Sequence, residues 1–249
     1  MHADPEEFLR AFSPQTIREF HEADLIVVNG AGYEKWIEVA SLPESRIVDT
    51  SEPFRDELIE TETTTHSHGP AGAHEHKGID GRTWVDPVNA RIQAGETAKA
   101  MKKRFPEHAA AFEEGWKALA SDLDGLNAEL SELTERVKDL PLLASRPAYN
   151  YLRSRYNWKI TNLDLDPEEM PSEETFAEIK ALLGKVPAKH ILWEARPKEE
   201  IAKRFKEELA VESIEFSPCE LLGDDEIKAG LDYLKVMKTN IENVRKALE

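Results

Sequence analysis

The sequence predicts an α/β protein: two α/β lobes bridged by one long, rigid backbone helix. Three observations carry this. Short apolar runs rich in β-branched residues alternate with helically spaced segments in both halves. An apolar seam of Phe112, Trp116, Leu119, Leu123, Leu126, Leu130, Leu133 and Val137 steps by 4, 3, 4, 3, 4, 3, 4, an a/d pattern over four heptads. With 249 residues, of which 40% are hydrophobic, the chain can bury the core of one or two domains.

Taken in order, Pro14 to Glu22 is a helix, with Ser13 as N-cap and Pro14 at the first position. Asp24 to Asn29 (DLIVVN) is a buried strand running into an Asn-Gly turn. Tyr33 to Ala40 resumes helical spacing, and Arg46 to Asp49 is a weaker strand. Thr61 to Gly78 has no hydrophobic period and reads as a mobile loop. Pro87 to Lys103 is helical, with Asp86 as N-cap. The seam places a helix over Glu107 to Val137, roughly 45 Å long at about 1.5 Å per residue. Such a seam serves a coiled-coil dimer or one helix packed into two domains, and the flanking α/β elements favour the second. Beyond it, strands are predicted at Leu140 to Ser145, Lys159 to Leu163, His190 to Glu194 and Val211 to Phe216. Helices are predicted at Pro147 to Tyr156, Ser172 to Leu183, Pro197 to Leu209 and Asp224 to Leu248. The expected organisation is an N-terminal lobe over 1–106 carrying a His-rich loop at 61–78, a linking helix over 107–137, and a C-terminal lobe over 138–249. In open α/β sheets ligands bind beyond the carboxyl ends of the strands, so the cleft between two lobes is the expected site.

Charge narrows the partners. Forty-nine acids against 32 bases give a formal net charge of −17. Nucleic-acid binding requires a basic face, and no Lys/Arg cluster with interleaved aromatics is present. An anionic membrane surface is disfavoured for the same reason. The longest apolar runs span a few residues, which excludes membrane insertion by a helix. The single Cys219 permits no internal disulfide and no multi-thiolate metal site. Met1 to Phe12 (MHADPEEFLRAF) has neither a basic nor an apolar leader region, so read literally the chain is cytoplasmic or has lost its leader.

Four constellations have chemical content. Four of the eight histidines, His66, His68, His74 and His76, fall within eleven residues as HSH and HEH. Each HxH pair can chelate on an extended chain, and Glu62 and Glu75 add oxygen donors. Imidazole with carboxylate suits zinc, nickel and copper. The plainer reading is a solvated polar loop. Trp84-Val85-Asp86-Pro87 is a helix-capping signal. Asp164 to Ser172 (DLDPEEMPS) crowds acids onto a strand-to-helix connection, where they serve either a cation or the helix dipole. Arg82 and Arg146 stand at strand or loop ends, where arginine contacts an anion or pairs with local acids. No nucleophile elbow, P-loop, dinucleotide turn or HExxH is present, so nothing supports an enzyme.

Together these segments resemble the zinc and manganese solute-binding receptors of ABC transporters. Ala23 to Ile37 (ADLIVVNGAGYEKWI) is similar to that group's "ADLvv.NG.G.E.W" segment, followed by a His-rich loop as in its zinc members. Asp80 to Ala90 (DGRTWVDPVNA) resembles its "DPHxWxDPxNA", and Leu142 to Ile160 its "SHPA" segment. DPEEMPS, ILWEARP and DYLKVMKTN match later segments in the same order. The resemblance implies a non-enzymatic receptor for a divalent metal ion, zinc before manganese, that delivers to a membrane permease. It also implies a periplasmic or extracellular location. The group normally has a further strand-helix-strand unit before its Asp-Pro-His segment, so a shortened N-terminal lobe is expected.

The departures concern the metal. The group holds it between the lobes on histidines and carboxylates. Here the matching positions read Glu6, Arg82, Arg146, Glu168 or Glu169, and Leu231 with Asp232 beside it. Guanidinium groups have no lone pair to give a cation and their charge repels it. The expected outcomes are a salt-bridged cluster of these arginines with Glu6 and Glu168 or Glu169, or an anion or small-molecule site on Arg82 and Arg146. A third outcome is a metal-site-degenerate paralogue acting as an interaction protein through its seam. On the metal-receptor reading, which comes first, the cation is contacted by His66, His68, His74 and His76 of the loop, with Glu169 as a further metal ligand.

Overall fold

The computed structural model describes residues 14–61 and 78–249. The chain divides into two compact units at Ser121/Asp122, inside the long helix.

In the first unit, α1 (Pro14–Glu22) leads into β1 (Ile26–Val28), which pairs in parallel with β2 (Ile47–Asp49), Ile26 opposite Ile47. Ile26 and Val28 are buried and Val27 is exposed, the period-two alternation of a half-covered strand. Ile26, Val28, Ala40 and Leu42 form a small core, against which Phe20, Trp36 and Ile37 pack. The α-helix expected over Tyr33 to Ala40 is instead a 3₁₀ turn at Lys35–Glu38. Eight residues are too few to hold an α-helix by propensity. Glu34 at its head is also committed elsewhere, accepting the backbone N–H groups of Asn29 and Gly30 at 2.8 and 3.1 Å. The His-rich segment is bracketed by β3 (Glu60–Thr61) and β4 (Gly78–Ile79), a two-residue antiparallel ladder.

A 3₁₀ turn at Thr83–Val85 precedes α2 (Pro87–Arg104). Asp86 caps the helix as expected, its carboxylate accepting the Val88 N–H at 2.9 Å. Because Asp86 is buried, Asp86→Ala is expected to lower unfolding free energy by about 1–2 kcal/mol. Asp86→Asn should retain most of it, as thermal denaturation would show.

The long helix is α3 (Ala109–Val137). In the first unit the Lys102 ammonium meets the Glu113 carboxylate at 2.5 Å, and the Arg91 guanidinium lies 5.9 Å from the Trp116 ring centre. The heptad seam is not continuous: Leu119 is 37% exposed and Ala120 is buried in its place. From Leu123 onward the predicted positions Leu123, Leu126, Leu130, Leu133 and Val137 are all buried. A straight helix drifts by roughly 20° per heptad against a 3.5-residue repeat, so a seam of this length slips by a residue unless helices supercoil.

The second unit holds β5 (Leu142–Ala144), α4 (Asn150–Tyr156), β6 (Ile160–Asn162), α5 (Glu173–Leu183), β7 (His190–Trp193), α6 (Glu199–Leu209) and β8 (Glu212–Glu215). The four strands form one parallel sheet in the order β6-β5-β7-β8. Both faces are covered, so the central strands read as continuous apolar runs. Leu143, Ile191 and Trp193 pack with Phe176, Ile179, Ile201 and Phe205. Two side-chain bonds tie the second half of α3 to this unit. The Tyr156 hydroxyl donates to Asn127 Oδ1 at 2.9 Å, and Trp158 Nε1–H donates to Thr134 Oγ1 at 3.0 Å. The Asp224 to Leu248 helix is two elements, α7 (Asp224–Lys228) and α8 (Tyr233–Ala247). Gly230 breaks it in the left-handed region, at φ +76°, and Asp232 starts the next helix as its N-cap, accepting the Lys235 N–H at 2.9 Å. Among the described residues no helix is long and apolar enough to cross a membrane.

Candidate functional site

The strand order of the second unit locates its reactive edge. From β5 the chain goes first to β6 on one side and then to β7 on the other. The carboxyl end of β5 is therefore the topological switch point, where open α/β sheets bind ligands. Arg146 follows β5 there, one residue after Ser145. Its Nε lies 3.0 Å from Glu194 Oε1, and a terminal nitrogen donates to Asp166 Oδ2 at 3.2 Å. Nε also approaches the Leu165 carbonyl at 3.3 Å. Asp166 lies beyond the end of β6 and Glu194 immediately follows β7, so three strand ends supply one cluster. The three side chains are half-buried, with Arg146 35% exposed.

The acidic loop takes a different part. Asp166 Oδ1 accepts the Glu168 N–H at 2.7 Å and folds the loop back on itself, as Asp does in turns. Glu168 and Glu169 are exposed. The Lys198 ammonium donates to the Glu168 carbonyl at 2.6 Å and lies 3.6 Å from its carboxylate. The arginine's partners are therefore Asp166 and Glu194, in place of the expected Glu168 or Glu169. Those side chains follow Asp166 by two and three residues, and the turn leaves them in solvent. Asp232 is occupied as the α8 cap and lies 3.7 Å from the Lys235 ammonium. Nearby, burial pushes the Cys219 thiol up, and Glu226 and Asp232 add to the effect.

In the first unit the carboxyl end of β1 carries the turn Asn29-Gly30. A Cβ on Gly30, at φ +80°, would lie 1.8 Å from Asp49 Oδ1, so only glycine fits. Asn29 organises a polar network around this turn. Its Nδ2 donates to the Gly81 carbonyl at 2.8 Å and the Gly30 carbonyl at 2.9 Å. Its Oδ1 accepts from Gln93 Nε2 at 2.8 Å and from the Thr83 hydroxyl at 2.9 Å. Gln93 reaches Thr50 Oγ1 at 3.0 Å, and Thr50 donates to the Val28 carbonyl at 2.9 Å. Thr50, Thr83 and Gln93 are buried. This network fixes the Gly81–Thr83 segment and with it Arg82. The Arg82 N–H donates to Asp80 Oδ1 at 3.0 Å, and its guanidinium lies 3.9 Å from the same buried carboxylate. The Trp84 ring meets Tyr33 edge-on at 5.0 Å.

Glu6, His66, His68, His74 and His76 lie outside the described residues, as do Glu62 and Glu75. Among the described residues no group of three or more His, Cys, Asp or Glu side chains is placed to hold a metal ion. Sequence reasoning missed Glu194 and Asp166 as partners of Arg146. Their signal was present: each is an acid at or just past the carboxyl end of a predicted strand. It also missed Asn29, whose Asn-Gly signature was read as a turn alone.

Comparison with known proteins places these units in context. The chain matches the family ZnuA, zinc-uptake complex component A periplasmic, over residues 2–247. It is 24% identical over 243 residues to the zinc-binding lipoprotein AdcA of Streptococcus pneumoniae, covering 95% of this chain and 48% of that protein. It is 23% identical over 240 residues to the high-affinity zinc uptake system protein ZnuA of Bacillus subtilis, covering 95% and 75%. The chain thus spans about half the length of the streptococcal relative. The crystal structure of the metal-dependent lipoprotein YcdH from Bacillus subtilis superposes with a TM-score of 0.80 at 22% identity, covering 95% of this chain and 84% of that one. That likeness shows the fold. On the family match across nearly its whole length, the chain belongs to the ZnuA family of zinc-uptake periplasmic components.

Proposed function

We propose that this chain is a solute-binding receptor of an ABC uptake system, not an enzyme, and that its cargo is zinc, handed to a membrane permease. The family match over residues 2–247 carries this reading, and the zinc-binding names of the relatives supply the metal. The periplasmic or extracellular location of such receptors goes with it. Cargo capture is assigned to His66, His68, His74 and His76. The HSH and HEH pairs support this, because neutral imidazoles prefer zinc over manganese. The matching ligand positions Glu6, Arg82, Arg146, Glu168, Glu169 and Asp232 are taken as remodelled. In support, both arginines already meet carboxylates, Asp80 for Arg82 and Asp166 with Glu194 for Arg146. The same pairing counts against an anion clamp, since each guanidinium charge is answered within the chain.

Calorimetric titration of Zn²⁺ into the full chain and into a variant with all four of these histidines replaced by alanine tests the reading. Binding by the native chain that weakens by about tenfold or more in the variant is the expected result. Equal binding in both removes the role of the histidines, and no binding in either removes zinc.

A further inference from the structure

We propose that the guanidinium of Arg146 is a built-in cation, standing at the switch point of the second unit's sheet in place of a metal ion. Three oxygen atoms converge on it: Glu194 Oε1 at 3.0 Å, Asp166 Oδ2 at 3.2 Å and the Leu165 carbonyl at 3.3 Å. A half-buried pair of carboxylates beside a main-chain carbonyl is the kind of oxygen shell that demands a positive charge. A free ion meets that demand at the expense of its hydration. Arg146 meets it from within the chain, with donors fixed in a planar fork. A divalent cation cannot join it, because the guanidinium offers no lone pair and repels the incoming charge.

The placement follows from topology and not from neighbouring sequence. Arg146 follows β5, Asp166 lies past β6 and Glu194 follows β7, and β5 is central between the other two. Any cation at this edge is therefore shared by the same two acids. The inference goes beyond the receptor reading. It states that the second unit's strand ends carry their own cation, one guanidinium between two carboxylates, and that replacing Arg146 opens them to metal.

The test uses the full chain with His66, His68, His74 and His76 replaced by alanine, so that their contribution is absent. In that background Arg146→His exchanges a fixed charge for a neutral donor beside two carboxylates. Zn²⁺ is expected to raise its melting temperature and to bind at least about tenfold more tightly than to the background with Arg146 intact. Zinc binding of equal strength in both proteins, or no gain on Arg146→His, would overturn the proposal. A double-mutant cycle without metal gives a second reading. Arg146→Ala leaves two carboxylates facing each other and should lower the melting temperature. Adding Glu194→Gln should recover more than half of the loss. A double variant no more stable than Arg146→Ala alone also overturns it. Either failure leaves the zinc-receptor reading standing, because that reading is decided on the chain with Arg146 intact and its four histidines present or absent.

Discussion

Leu130→Ala is expected to cost about 4 kcal/mol of unfolding free energy, the range found when a fully buried leucine is cut back and its cavity only partly collapses. For a chain of this size that corresponds to a fall in Tm of about 8–16 °C. Leu130 is wholly buried in the second half of α3, flanked by Leu126 and Leu133, which are equally covered. Leu119 occupies an equivalent step of the seam but is 37% exposed, so Leu119→Ala should cost under about 1 kcal/mol. The contrast separates two uses of the heptad pattern. A seam used for self-association would make both substitutions act on the oligomeric state. A seam packed inside its own unit makes Leu130→Ala a stability defect with no change in sedimentation. Similar losses at both positions, or a shift in sedimentation on either substitution, would refute the assignment.

The same helix shows how far the sequence can be read. Apolar spacing fixed the existence of α3 and its C-terminal end at Val137, because burial within one helix is a local periodic signal. It misplaced the buried position at Leu119, because the phase between a helix and its neighbours depends on a drift that no single heptad reveals. α1 was legible to the residue, its proline at the start being a steric signal. The single helix expected over Asp224 to Leu248 failed at Gly230, where apolar residues keep a helical period across a left-handed break. The candidate site was legible in its residue types and not in its pairings. Arg146 stood out because it follows a predicted strand and replaces the histidine of the SHPA pattern. Its acids could not be chosen from the chain, because the order β6-β5-β7 decides which strand ends become neighbours, and Glu194 lies 48 positions away. Glu168 and Glu169 were favoured because they match the acidic segment of the resemblance, and the Asp166 turn leaves them in solvent.

Asn29 is the position where this non-local logic has its largest consequence in the first unit. Asn29→Ala removes the acceptor of Gln93 Nε2 and of the Thr83 hydroxyl, and the donor to the Gly81 carbonyl. Gln93 and Thr83 are buried, so water does not readily replace the lost partner. Gln93 keeps the Asn29 main-chain carbonyl and Thr50 Oγ1, and the Thr83 hydroxyl keeps Gln93 Oε1, so the loss falls mainly on the Gly81 carbonyl, and a net cost of about 1–3 kcal/mol is expected. Asn29→Asp separates hydrogen bonding from side-chain size. It keeps the acceptor for Gln93 and Thr83 but turns a carboxylate oxygen toward the Gly30 and Gly81 carbonyls, which its amide had bridged. Bringing acceptors face to face and adding a half-buried charge should make Asn29→Asp at least as destabilising as Asn29→Ala. Hydrogen exchange locates the effect: the amides of Gly81, Arg82 and Thr83 should lose protection in both variants, while those of β5 and β7 keep it. Protection unchanged at Gly81–Thr83, or an aspartate as stable as the native asparagine, would mean that the Arg82 segment is held by its own turn and not by Asn29.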